Sequence, residues 1–217
     1  KLAGATDVGP STVRAIVAAL SFQGMAIILV HRFVNEHATT WSDGFALAHR
    51  PGLAIGAGCL LACGFLPVGI GLQYATAAVM SFFNHAAEPQ AAVQALKSSA
   101  SRFDRAAFGV VAIGLAPVAE ELLFRGILYP TIKRIGYPRL ALWGTSLLFA
   151  VIHFNLPTFL PLLALALALT WLYEKSGNLL APIAAHTLFN ALNFLIFLYE
   201  PRFSDHLKRL WPFGPHA

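Results

Sequence analysis

Apolar residues fill most of the chain in long runs, which are separated by short breaks containing proline, glycine or charged residues. A helix needs about 20 mostly apolar residues to cross a bilayer. Six runs approach or exceed this length, although the fourth is short: Thr12–Val30, Gly52–Met80, Ala106–Tyr129, Arg139–Phe154, Pro157–Tyr173 and Leu179–Tyr199. The pattern predicts an all-α protein, a polytopic bundle of about six transmembrane helices that forms a single integral-membrane domain over residues 1–217.

The composition agrees with a membrane protein. Hydrophobic residues make up 57% of the chain and charged residues only 12%, about half the charged fraction of a soluble domain. The net charge of +5 does not indicate a nucleic-acid partner. Most basic residues lie between the apolar runs, where anionic lipid headgroups would meet them. Membrane lipid is therefore an expected partner, and nucleic acid is not.

The third run contains the stretch APVAEELLFRG, which places Glu120, Glu121 and Arg125 in an apolar setting. One charge at the bilayer centre costs about 2.5–3.5 kcal/mol on the insertion scale. Glu121 and Arg125 are i and i+4, with the glutamate first, which is the favoured order for a helical ion pair. Glu120 is rotated from Glu121 by about 100° on a helix. We therefore expect Glu121 to pair with Arg125 and Glu120 to find partners on other spans.

Two other spans offer such partners. His153 lies near the end of the fourth run, whereas His186 and Asn190 are i and i+4 on the sixth and so share one side of that helix. The remaining runs carry few polar side chains, notably Gln23 and Gln73. Taken singly, each group has a structural explanation. Glu121 and Arg125 could be an ion pair that holds helices together. His153 could be a histidine of the core, and Asn190 could form a hydrogen bond between packed helices. Together they favour one functional site, because ionisable residues within membrane spans are usually functional.

The same residues form three motifs in order along the chain. EELLFR fits Glu-Glu-x-x-x-Arg, FAVIH fits Phe-x-x-x-His, and HTLFN fits His-x-x-x-Asn. In this respect the sequence resembles the CAAX protease and bacteriocin-processing (Abi) family of intramembrane glutamic endopeptidases, including the type II CAAX prenyl endopeptidases. The resemblance covers a protease-like core of about residues 106–199.

The resemblance implies an endopeptidase that cleaves a peptide bond with a glutamate-activated water. Glu120 would be the general base, His153 would help to hold the water, and His186 and Asn190 would donate hydrogen bonds to the oxyanion. Glu121 and Arg125 would support the site, with Glu121 pointing away from the pocket in which the other groups converge. No cofactor and no metal ion is expected.

Several alternatives stay open from the sequence. A glutamate and two histidines can also serve a metal-dependent membrane protease, although no His-Glu-x-x-His pair is present. A transporter or proton relay also carries buried ionisable residues. A non-cleaving family member would act as a binding, assembly or immunity subunit. The expected partner is a lipidated or membrane-bound peptide or protein substrate, with a larger membrane assembly left open, and the expected location is a prokaryotic cell membrane.

Overall fold

Helices account for the secondary structure of the part of the chain that the structure describes. The computed structural model describes residues 10–86, 88, 90–98 and 102–210, and no strand occurs within them. The described residues form seven helices: α1 (Pro10–Glu36), α2 (Pro51–Phe82), α3 (Ala91–Ser98), α4 (Arg102–Arg134), α5 (Pro138–Val151), α6 (Leu156–Ser176) and α7 (Leu180–Leu210). A single helical turn, Trp41–Gly44, lies between α1 and α2. The predicted all-α bundle is confirmed.

Five of these helices are long and apolar enough to cross a membrane, and they define a multi-pass membrane protein. The candidate spanning segments are Ile16–Glu36, Pro51–Phe82, Arg102–Arg134, Leu156–Ser176 and Leu180–Tyr199. The predicted fourth span forms α5, which has only 14 residues. At 1.5 Å per residue it is about 21 Å long, less than the roughly 30 Å of a bilayer core. The prediction of six spans is therefore approximate.

Small residues allow α2 to pack closely against α7. Ala54, Gly58 and Ala62 are buried at intervals of four residues, so they form one face of α2. A Cβ atom on Gly58 would lie 2.4 Å from the carbonyl oxygen of Ala181. Close approach through small residues is the usual way for helices to associate in a membrane, where burial of apolar surface supplies little driving force.

Two π-helical segments, Val110–Leu115 and Leu122–Leu128, widen α4 on either side of the glutamates. Each segment ends two residues before a proline, Pro117 or Pro130. A proline ring clashes with the carbonyl four residues earlier and provides no N–H. The wider turn relieves that clash, and π segments are frequent at functional sites. The two prolines therefore explain why α4 departs from regular α-helical geometry around Glu120 and Glu121.

The first π segment leaves one backbone carbonyl without a helical partner. The N–H of Ala116 bonds to the carbonyl of Val111, five residues earlier. The next amide in this register would face the carbonyl of Ala112, but it belongs to Pro117 and has no hydrogen. The Ala112 carbonyl therefore needs a donor from outside α4, because an unpaired buried backbone group is costly.

Candidate active site

A buried ion pair lies near the middle of α4. Nη1 of Arg125 is 2.9 Å from Oε1 of Glu121, and the two side chains are 2% and 0% exposed. The i, i+4 spacing brings them together within one helix, as predicted from the sequence. Removal of two charges from water is costly, so such a pair is retained only where further hydrogen bonds complete it.

Arg125 receives these further contacts from α6. Its Nη2 donates to the carbonyl of Ala166 (2.8 Å) and its Nε to Oγ1 of Thr170 (3.3 Å). Its guanidinium also lies 5.0 Å from the ring centroid of Phe149 on α5, within the range of a cation–π contact. The arginine thus connects α4 to two neighbouring helices and fixes the position of Glu121.

His186 of α7 bridges the two glutamates. Its Nδ1 is 2.8 Å from Oε1 of Glu121, and its Nε2 is 3.9 Å from Oε2 of Glu120. The expectation that Glu121 points away from the histidines is therefore wrong. A rotation of about 100° separates successive residues on a helix, but an imidazole has two nitrogens on different edges of its ring and can reach both carboxylates.

The hydrogen-bond partners restrict the protonation of His186. A carboxylate only accepts hydrogen bonds, so Nδ1 is the nitrogen that carries a proton toward Glu121. Nε2 then donates only when the ring is doubly protonated. In that state Glu120, Glu121, Arg125 and His186 together carry no net charge, which suits a poorly solvated site.

Glu120 is held at the edge of this cluster. Its side chain is 11% exposed, whereas that of Glu121 is fully buried. Besides His186, its contact is with Gln23 of α1, whose Nε2 is 3.4 Å from Oε1 of the glutamate. Sequence reasoning noted Gln23 as an unusual polar residue of the first run but did not assign it to the site. The sequence feature that could have pointed to Gln23 is the presence of an amide within an otherwise apolar run.

His153 lies two residues beyond the end of α5. Its Nδ1 is 2.7 Å from the carbonyl oxygen of Phe149. Because a carbonyl only accepts, Nδ1 carries a proton, and Nε2 is an acceptor whenever the ring is neutral. The ring of Phe149 lies 5.0 Å from that of His153 and 5.7 Å from that of His186. Both histidines therefore pack against the same aromatic side chain.

Asn190 contacts α4 at the first π segment. Its Nδ2 donates to the carbonyl of Ala112 at 2.9 Å, the carbonyl that Pro117 leaves without a helical donor. The bond explains why an amide is found at this point of α7. One N–H of the amide is used in this way, and the second is available to another acceptor.

The structure thus brings Glu120, Glu121, Arg125 and His186 into one cluster, with His153 and Asn190 attached through Phe149 and through the backbone of α4. Their catalytic roles stay predictions. Among the described residues, no group of three or more His, Cys, Asp or Glu side chains is arranged to hold a metal ion. A surface cavity of about 450 Å³ lies elsewhere, between the ends of α1 and α4, and none of the cluster residues lines it.

The fold and the cluster define a multi-pass membrane protein with ionisable groups buried between its helices. Residues 102–192 match the model of the type II CAAX prenyl endopeptidase Rce1-like family. The resemblance stated from the three motifs is thereby confirmed over this segment, which contains all of them. The match supports a membrane protease as the general class of protein.

Two curated relatives match parts of the chain. The uncharacterized protein YpbD of Bacillus subtilis (strain 168) is 36% identical over 99 residues, which are 44% of this chain and 46% of that protein. The UPF0177 protein YxdF of Lactococcus lactis subsp. lactis (strain IL1403) is 32% identical over 77 residues, 35% of this chain and 42% of that protein. The chain therefore covers less than half of each of these relatives. No solved structure matches it.

Proposed function

We propose that this protein is an intramembrane endopeptidase of the CAAX-protease type, in which Glu120 activates a water molecule for attack on a peptide bond. The observation that supports this proposal best is the difference between the two adjacent glutamates. Glu121 is fully buried and neutralised by Arg125, whereas Glu120 is partly exposed at the edge of the cluster. One carboxylate is thus suited to structural support, and the other to contact with water and substrate.

The proposed reaction uses the groups in the following way. Glu120 takes a proton from the water as the water oxygen attacks the substrate carbonyl carbon, and it returns that proton to the amine when the C–N bond breaks. Nε2 of His153 is an acceptor and would hold the second water hydrogen. His186 in its doubly protonated state and the second N–H of Asn190 would donate to the oxyanion, where each donor contributes most in a poorly solvated site.

The proposed substrate is a peptide or protein that is lipidated or embedded in the membrane, since the catalytic groups lie on membrane helices. The proposed location is a prokaryotic cell membrane, because the two curated relatives are bacterial proteins. The Rce1-like match over residues 102–192 supports a CAAX-type activity.

Comparison of Glu120→Gln with the unchanged protein tests the proposal. Gln keeps the size of the side chain and removes the base, so we expect cleavage to be lost and the melting temperature in detergent to be retained. Peptides released from membranes that contain each form are compared by mass spectrometry. Glu36→Gln is a matched control, because Glu36 is exposed and forms a surface pair with Arg32. Release of the same peptides by Glu120→Gln and by the unchanged protein would contradict the proposal.

A further inference from the structure

Gln23 of α1 is a buried polar residue outside the segment that matches the family. It is 5% exposed, in a helix whose neighbouring positions are largely apolar. The family match begins at residue 102, so neither the match nor the three motifs assigns a role to this residue. Its contact with Glu120 joins α1 to the candidate active site.

The chemistry of the two side chains fixes the orientation of the Gln23 amide. An ionised carboxylate only accepts hydrogen bonds, so the amide nitrogen must face Glu120. The amide oxygen, Oε1, is then directed away from the carboxylate. It is buried and has no hydrogen-bond partner among the described residues. Within the described part of the chain, the bond to Glu120 is thus the one side-chain hydrogen bond of Gln23.

This arrangement is a poor one for stability. A buried amide acceptor without a partner is unfavourable, and a methionine of similar size would fill the same space without that cost. The presence of glutamine at this position is better explained by what the amide does for Glu120.

We propose that Gln23 is a positioning residue for the Glu120 carboxylate, a role that rests on the proposed function of Glu120 as the base. Gln23 contacts Oε1 of the glutamate and His186 faces its Oε2. Contacts from α1 and α7 thus act on the two oxygens separately and restrict rotation of the carboxylate. Such restriction favours the geometry in which a base reaches its water. The catalytic unit then includes α1 as well as the matched segment.

The test replaces Gln23 by methionine in the full chain, in lipid nanodiscs. Gln73→Met is the matched control, because it makes the same change at an exposed position of α2. Three quantities are measured. They are kcat and KM on the substrate from which the unchanged protein releases a peptide, the melting temperature, and labelling of Glu120 by dicyclohexylcarbodiimide, which reacts with protonated carboxyl groups in apolar surroundings. Labelling does not require turnover, so it tests the contact even when no cleavage occurs.

We expect Gln23→Met to lower kcat about 10-fold, the factor for loss of one hydrogen bond to a charged group, with KM unchanged. Labelling of Glu120 should rise, because the ionised carboxylate loses a donor, and the melting temperature should not fall. Gln73→Met should match the unchanged protein in all three.

Equal kcat in Gln23→Met and Gln73→Met would overturn the proposal. Unchanged labelling of Glu120 in Gln23→Met would also overturn it. A lower melting temperature of Gln23→Met would also overturn it, because Gln23 would then be a structural residue. The comparison of Glu120→Gln with the unchanged protein can fail to show cleavage that depends on Glu120. In that case the labelling of Glu120 alone supports or overturns the proposed contact with Gln23.

Discussion

Replacement of Arg125 by methionine tests whether the buried ion pair is essential to the fold. Methionine retains much of the apolar volume of the side chain but removes the charge and all three hydrogen-bond donations, to Glu121, Ala166 and Thr170. Glu121 is then left with His186 as its remaining donor on Oε1, and its Oε2 already has no partner among the described residues. A carboxylate with 0% exposure loses its neutralising charge.

The expected cost follows from that exposure. Removal of one member of a buried pair costs about 3–5 kcal/mol, because the other charge stays buried without compensation. This is a large part of the roughly 5–15 kcal/mol that stabilises a typical native protein. For a chain of this size, about 2–4 °C of melting temperature is lost for each kcal/mol, so we expect a decrease of about 6–20 °C.

Thermal unfolding in detergent or nanodiscs measures this decrease, and the chain offers a matched control. Lys133 of α4 forms an ion pair with Glu174 of α6, and their side chains are 41% and 37% exposed. An exposed pair contributes about 0–1 kcal/mol, so Lys133→Met should change the melting temperature little. The comparison separates the effect of burial from the mere presence of an ion pair that involves α4.

Neutralisation of Glu121 provides the decisive second measurement. If an uncompensated charge causes the loss, Glu121→Gln in the Arg125→Met background should recover part of the stability, because no buried charge then lacks a partner. The reasoning is refuted if Arg125→Met melts at the same temperature as the unchanged protein, or if addition of Glu121→Gln lowers stability further by its full individual cost.

Two further predictions concern the chemistry of the site. Chelators should leave cleavage unchanged, because the histidines are proposed to act through hydrogen bonds; zinc bound in a 1:1 ratio, with activity lost on its removal and restored on its return, would favour the metal-dependent alternative. His153→Ala should lower kcat about 10²–10⁴-fold, the usual contribution of a group that assists proton transfer, with a small effect on melting temperature; activity equal to that of the unchanged protein would exclude His153 from the site.

Much of the architecture could be predicted from the sequence, because lipid imposes a simple rule. A spanning segment must satisfy its own backbone, so long apolar runs become helices. The predicted runs Gly52–Met80 and Ala106–Tyr129 differ from α2 and α4 by only a few residues at each end, because both helices extend slightly beyond the apolar run. The Glu121–Arg125 pair was predictable for a related reason, as both residues lie on one helix.

The contacts between helices were less predictable. Gln23 and Glu120 are 97 residues apart, and no local spacing indicates which face of α1 meets α4. The bridging role of His186 was missed because regular helical geometry assigns Glu120 and Glu121 to different lines of α4. The rotation and packing of the helices decide such contacts, and the π segments on either side of the glutamates alter the faces that α4 presents.

Asn190 combines a structural and a proposed catalytic role, and Pro117 allows the two to be separated. Asn190→Leu leaves the Ala112 carbonyl unpaired, at a cost of about 1–3 kcal/mol. Pro117→Ala supplies the backbone N–H that is missing five residues after Ala112, so the double variant should be more stable than the sum of the single changes predicts, by about 0.5–3 kcal/mol. Cleavage should stay low, because the restored amide does not replace the donor to the oxyanion. Additive stabilities would refute the structural role, and recovery of cleavage would refute the catalytic one.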